Sequence, residues 1–184
     1  AYSSSCDYNN YHPNSDATLS PGTYCGGIKL SGSHIYTLNA GTYILLGGGM
    51  DVSGSTSLSG TGVTFYNTQS AGHSYGKITV SGSTSISLTA PTSGSWEAML
   101  LVDDRSAPNN NTLSMTGSST LLLEGVVYFP NQPVKITGSS GAAYTILICD
   151  TLDVSGSSTV GADYSSLAHG NPISGSGGKV KLGE

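Results

Sequence analysis

The sequence predicts an all-β chain, a right-handed parallel β-helix (β-solenoid) of about six to seven coils with three strands per coil. Three observations carry this. First, one phrase recurs six times: two apolar residues flanking a variable one, then Ser/Thr-Gly-Ser. Its copies are Ile28–Ser33, Met50–Ser55, Ile78–Ser83, Leu113–Ser118, Val134–Ser139 and Leu152–Ser157. Second, the copies are spaced by 22, 28, 35, 21 and 18 residues. Such spacing excludes a short fixed repeat and suits coils that share strands but carry loops of different length. Third, most copies are followed by two further strand-length apolar segments. A β-sandwich also uses many short strands, but its strands do not repeat one phrase in one phase. Handedness is inferred from the general rule for parallel crossovers.

Taken in order, residues 1–27 read as an N-terminal cap and 28–184 as the β-helix, together one compact domain. Cys6 and Cys25 lie 19 positions apart in the irregular, polar entry segment and read as a disulfide, which favours an oxidising compartment. Cys149 sits in the apolar run Tyr144–Cys149 and reads as a free interior thiol. Within each copy the middle residue points away from its apolar neighbours, because side chains alternate along a strand. The glycine then allows a bend that a residue with a Cβ resists. Five residues past the first Ser/Thr of each copy stand Tyr36, Leu58, Ile86, Leu121, Ala142 and Val160, expected to stack as one interior ladder. Third strands are expected at Thr42–Leu46, Val63–Tyr66, Ala98–Val102, Val126–Phe129 and Tyr144–Ile148.

The outward residues of the phrase run Lys29, Asp51, Thr79, Ser114, Lys135, Asp153. With coils stacked in order, Lys29 faces Asp51 and Lys135 faces Asp153, about 4.8 Å apart. The tail Lys179–Glu184 resembles a partial seventh copy that sets Lys181 beside Asp153. A hydroxyl ladder is expected at Ser31, Ser53, Ser81, Thr116, Thr137 and Ser155.

Composition narrows the function. Charged residues are 9% of the chain and Lys+Arg number 6, too few for the phosphate neutralisation that nucleic-acid binding needs. No run approaches the roughly 20 apolar residues of a membrane span. The chain opens on Ala1-Tyr2-Ser3 with no initiator Met, so it reads as a mature form or a piece of a longer protein.

The densest charged cluster is Asp103-Asp104-Arg105, before the loop Ser106–Asn111. Paired carboxylates beside an arginine are the chemistry of glycosidic cleavage, since each raises the other's pKa. Consecutive strand residues face opposite sides, however, so only one of the two looks into a given groove. An Asp that pairs with Arg or caps a turn is the structural alternative. A groove beside the triplet lined by aromatics such as Trp96 would favour the carbohydrate reading. His12, His34, His73 and His169 show no metal spacing. Asp163–Leu167 lacks a nucleophile elbow, and Gly47-Gly48-Gly49 lacks the Lys of a phosphate loop. No cofactor or metal is expected. Outward hydroxyls at Thr37, Ser57, Ser59, Ser85, Ser87, Thr120 and Thr159 raise ice binding as a minor alternative, but Leu122, Ala143 and Gly161 interrupt the row.

Several phrases carry a family likeness: Leu19-Ser20-Pro21-Gly22-Thr23-Tyr24-Cys25-Gly26-Gly27-Ile28, Gly41–Leu45, Gly60–Tyr66, Asp104–Pro108, Val127–Asn131 and Asp163–Leu167. Together they resemble the C-terminal region of bacterial TadE/TadG-like proteins of the tight-adherence pilus-assembly class. The resemblance covers nearly the whole chain. It implies an extracellular or cell-surface location and a role in surface attachment, and it supplies no catalytic residues. The leading expectation is a non-enzymatic extracellular module, structural or adhesive, on the bacterial surface or in a pilus or filament, with end-to-end self-association or other surface proteins as partners. The alternative is a carbohydrate-active β-helix that binds or cleaves a glycan with Asp103, Asp104 and Arg105.

Overall fold

The computed structural model describes residues 5–108, 111–138 and 141–162. The tail copy Lys179–Glu184, the Asp163–Leu167 phrase and His169 lie outside them. Among the described residues there are strands, turns and bends but no helix. The entry segment contributes β1 (Tyr8–Tyr11) and β2 (Ala17–Leu19). Then come β3 (Gly22–Leu30), β4 (Ile35–Leu38), β5 (Gly41–Leu46), β6 (Met50–Val52) and β7 (Ser57–Thr61). β8 (Val63–Thr68), β9 (Ile78–Val80) and β10 (Ser85–Thr89) follow, and then β11 (Met99–Asp103), β12 (Leu113–Met115) and β13 (Thr120–Phe129). β14 (Val134–Ile136), β15 (Gly141–Cys149), β16 (Leu152–Val154) and β17 (Thr159–Ala162) complete the set. These strands form one 17-stranded sheet, and every strand-to-strand pairing is parallel, the arrangement of a β-solenoid.

Pairing sorts the strands into three ladders. In the first, the repeated phrases lie on one another: Ile28 on Met50 on Ile78, and Leu113 on Val134 on Leu152. The second sets Ala17, Tyr36, Leu58, Ile86, Leu121, Ala142 and Val160 in one register line, with Tyr36, Leu58, Ile86 and Leu121 buried as the sequence predicts. The third runs through β1, β3, β5, β8, β11, β13 and β15. It carries an aromatic stack at the N-terminal end: Tyr8 on Tyr24 at 4.4 Å between ring centroids, Tyr24 on Tyr43 at 5.9 Å and Tyr43 against Phe65 at 5.1 Å. Tyr24 and Tyr43 are fully buried, so their hydroxyls need partners. Tyr24 donates to the carbonyl of Ser20 at 2.7 Å, and Tyr43 lies 2.7 Å from that of Asn39.

The corner after each phrase explains its Ser/Thr-Gly-Ser signature. Gly32, Gly54, Gly82, Gly117, Gly138 and Gly156 all take φ between 77° and 91°, a left-handed region costly to other residues. They also stack. A Cβ on Gly54, Gly82, Gly117, Gly138 or Gly156 would stand 2.4–2.7 Å from the carbonyl oxygen of the glycine one rung below. That oxygen meanwhile accepts a backbone hydrogen bond from the serine that follows the upper glycine, as in Ser83 to Gly54 at 2.8 Å and Ser118 to Gly82 at 2.8 Å. Rung-to-rung hydrogen bonding therefore continues through the bend.

The structure adds detail to two expectations. The phrase hydroxyls from Ser31 to Thr137 are half-exposed, and Ser155 is exposed. The buried hydroxyl ladder lies three positions on, at Thr56, Thr84 and Ser119, where Thr84 donates to Ser119 at 2.9 Å and Thr56 to the Ser53 carbonyl at 2.7 Å. These positions are the first to turn inward after the corner. Lys135 and Asp153 pair at 3.8 Å as expected. Lys29 and Asp51 are register partners without an ion pair among the described residues; the contact Asp51 makes is a 3.4 Å hydrogen bond from the Thr79 hydroxyl. Both charges stand in water, where such a pair gains less than about 1 kcal/mol.

The corner yields a direct test. Gly82→Ala adds both left-handed strain and a clash with the rung below, and is expected to lower stability by about 3 kcal/mol or more in urea unfolding. Gly94→Ala, at φ 91° with nothing within 4 Å of its Cβ position, is expected to cost only the strain, about 1–2 kcal/mol. Equal costs would show that the stacked contact contributes nothing.

Candidate functional site

Asp103 ends β11 and turns inward, 1% exposed. It rests on Asn67, its register partner in β8. The amide of Asn67 donates to the Gly76 carbonyl at 3.0 Å and to Asp103 Oδ1 at 3.2 Å. The Tyr75 hydroxyl donates to the same oxygen. Gln132 donates to Oδ2 at 3.3 Å and to the Pro108 carbonyl at 2.9 Å, while its own oxygen accepts from the Asn111 backbone at 2.8 Å. Asn67 Oδ1 is buried with no hydrogen-bond partner. Burial pushes the Asp103 carboxyl above its usual range, and the nearby Asp104 charge adds to this; hydrogen bonds from Tyr75, Gln132 and Asn67 oppose it without cancelling it. Burial likewise pushes the Tyr75 hydroxyl up, helped by the Asp103 acceptor.

Asp104 points the other way, as strand alternation requires. One of its oxygens takes the Thr68 hydroxyl at 2.6 Å. The other takes the Ser106 backbone N–H at 2.9 Å and the Ser106 hydroxyl at 2.8 Å. This is the side-chain-to-backbone closure of an Asx turn. Partial burial raises the pKa of this carboxyl, but the hydrogen bonds from Thr68, Ser106 and Tyr66 outweigh it and leave it below the usual value. Arg105 is exposed and pairs with neither aspartate. Its Nε donates to the Tyr128 hydroxyl at 2.6 Å, with the guanidinium 5.4 Å from that ring's centre. Asn131 donates to the Arg105 carbonyl at 2.7 Å, fixing the loop.

The three residues that the sequence singles out are thus neighbours with three different jobs: a buried hydrogen-bond acceptor, a turn closer and a surface cation on an aromatic rim. Among the described residues the two carboxylates turn to different partners on different sides of the strand end. Trp96 does lie close to this region, against Tyr66 at 5.6 Å between centroids. Asn67, Tyr75 and Gln132 escape sequence reading because they are 8 to 65 positions apart and meet only through coil stacking. The available signal is a polar residue on the inward phase of a third strand, two past Phe65 in one case and two past Leu101 in the other.

The disulfide Cys6–Cys25 is present, and Cys149 is free and half-buried, its thiol pushed up by burial and then by Asp150. His73 Nε2 stands 3.9 Å from the Cys6 sulfur. Cys6, Cys25 and His73 hold their ligand atoms within 4.8 Å of one another, but the disulfide removes the thiolates that a metal requires. His12 meets the Ser31 hydroxyl at 3.2 Å, and His34 meets Asp16 at 3.6 Å. No family model, no curated protein and no solved structure matches this chain.

The Asp103 cluster predicts a pH dependence. A carboxyl whose pKa is raised on folding stabilises the fold below its unfolded value, near 3.9, and loses that contribution as pH rises through the folded value. Thermal unfolding is expected to show wild type losing stability, relative to Asp103→Asn, as pH rises from about 4 toward neutral. A difference that is flat with pH would mean that Asp103 is not desolvated. A second outcome concerns the disulfide. Reduction is expected to cost about 3 kcal/mol, from the entropy of the freed loop. Denatured, unreduced protein should give one free thiol per chain, against three if Cys6 and Cys25 were unbonded.

Proposed function

We propose that this chain is a non-enzymatic extracellular β-solenoid module, structural or adhesive, of the bacterial cell surface or of a pilus or filament assembly. We take the coil to be right-handed, with about six to seven turns. One observation carries the reading most directly: both carboxylates of the triplet are engaged in holding the fold. Asp103 accepts three hydrogen bonds in the interior and Asp104 closes a turn. Glycoside hydrolysis needs two carboxyls flanking one bond, about 5–9.5 Å apart across the substrate. These two lie on opposite sides of one strand.

Other features support the same reading. The disulfide suits an oxidising setting. No helix among the described residues is long and apolar enough to cross a membrane. The likeness to TadE/TadG-like pilus-assembly proteins points to the bacterial surface. At the C-terminal end of the described coil, Leu152 and Val154 are 47% and 41% exposed, whereas the matching pair in each of the five earlier copies is 3% exposed or less. β16 pairs only with β14 among the described strands. The ice-binding alternative gains no support, since exposed Ile35 heads one outward row of the second ladder and Leu122 interrupts the other.

Wild type, Asp103→Asn and Asp104→Asn are expected to release no product from a panel of uronic-acid and neutral polysaccharides, with folding checked by circular dichroism. Product release by wild type that is lost in a folded variant would overturn the reading and establish the carbohydrate-cleaving alternative. Negative-stain electron microscopy of the purified chain is expected to show end-to-end rods at high concentration.

A further inference from the structure

Resting on the adhesive reading, we propose that the outward face of the third ladder, centred on Trp96, Tyr66, Tyr128 and Arg105, is a binding platform for an acidic polysaccharide. The outward residues of this ladder lie in register as Ile44, Tyr66, Val102, Tyr128 and Ile148. All are apolar or aromatic. The outward rows of the other two ladders are mostly polar: Lys29, Asp51, Thr79, Ser114, Lys135 and Asp153 in the first, and Thr18, Thr37, Ser59 and Ser87 in the second, where Leu122 follows Ser87 and Ile35 stands in the neighbouring row. An outward apolar row is not needed for the coil, whose core is filled from the inward phase by Tyr43, Phe65, Leu101 and Phe129. Ile44, Tyr66 and Tyr128 are half-exposed and Ile148 is exposed, on either side of Val102, which is buried; apolar surface left open on a folded protein marks a contact surface.

The row is equipped for sugars in particular. The segment between β10 and β11 lays Trp96 against Tyr66, with the indole half-exposed. Tyr66 and Tyr128 stand two rungs apart, about 10 Å. At that separation alternate sugars of one extended chain each meet a ring. The C–H faces of a pyranose pack on aromatic faces while its hydroxyls reach polar groups at the rim, the usual division of labour in a ligand site.

Charge decides the kind of sugar. Arg105 is the only arginine in the chain. It is exposed, held at the Tyr128 hydroxyl through Nε alone, and forms no ion pair among the described residues. Its remaining N–H groups form the fork that matches a carboxylate in two parallel hydrogen bonds. Asp104 makes no hydrogen bond or ion pair with it, because both Asp104 oxygens are turned to Thr68 and Ser106. The site therefore matches a uronate: carboxylate on Arg105, ring faces on Tyr128 and on the Trp96–Tyr66 pair.

Trp96 is also the only tryptophan, so its fluorescence reports the site without a label. Titration with oligogalacturonate and oligomannuronate, repeated by calorimetry, is the test, with cellohexaose as the neutral arm. Saturable binding with a change in Trp96 emission is expected for at least one uronate, and weaker binding for cellohexaose. Arg105→Gln is expected to lose tenfold or more in uronate affinity. It should leave the weak cellohexaose binding unchanged. Trp96→Ala and Tyr128→Ala, with folding checked by circular dichroism, are expected to lose about tenfold for every sugar bound. No saturable binding of either uronate, or uronate binding that survives all three substitutions, overturns the proposal. If sugar binding fails while end-to-end rods still form, the platform falls and the structural reading stands. Attachment to protein-coated but not polysaccharide-coated surfaces, lost in Trp96→Ala, would overturn the proposal by assigning this face to a protein partner.

Discussion

The fold depends on a stack of glycines at one corner of the coil. At each rung the space that a side chain would need is filled by the carbonyl of the glycine below, and that carbonyl accepts the hydrogen bond that carries the sheet around the bend. A larger residue at any stacked position must displace backbone rather than a flexible side-chain end. The stack therefore fixes the position of each phrase along the axis. Once the phrase is fixed, strand alternation decides which residues enter the core. Loop lengths between copies are then free to vary, and the copies are accordingly 18 to 35 residues apart.

The interior changes character along the axis. At the N-terminal end it is a pile of tyrosine rings, closed by the disulfide and satisfied by backbone carbonyls. Toward the middle, aliphatic residues fill the ladders, and one polar cluster interrupts them at Asn67, Asp103, Tyr75 and Gln132. That cluster anchors two of the three longest excursions between strands. Tyr75 and Gly76 belong to the excursion between β8 and β9, while Pro108 and Asn111 belong to the one between β11 and β12. A buried hydrogen-bonded network is an economical way to seat long loops on a solenoid, since their backbone groups would otherwise be desolvated without partners.

Much of this was legible because the repeat is local. Tyr36, Leu58, Ile86 and Leu121 can be placed in one ladder by counting from the phrase, and they are stacked and buried as counted. The Cys6–Cys25 bond follows from two cysteines in one irregular segment. A second, buried set of hydroxyls was not anticipated; it lies three residues on, because the corner delays the first inward position to Thr56, Thr84 and Ser119. The polar cluster and the aromatic row of the third ladder were not legible. Their members come from different coils, and irregular register between Met99 and Leu101 breaks the count along β11. The Asp103-Asp104-Arg105 triplet stood out for its charge, yet its members divide between interior, turn and surface, which alternation alone anticipates only for the first two.

The register of the phrase ladder is tested most directly by engineered disulfides in a Cys149→Ser background. Asp51 and Thr79, and likewise Thr79 and Ser114, are side-by-side partners on adjacent strands about 4.8 Å apart, within reach of a disulfide. Asp51→Cys with Thr79→Cys, and Thr79→Cys with Ser114→Cys, are expected to oxidise readily and raise stability. The offset pair Asp51→Cys with Ser81→Cys is expected to stay reduced in folded protein. Ready oxidation of the offset pair alone, or of none of them, would contradict the stacked register on which the fold and the assignment of its faces rest.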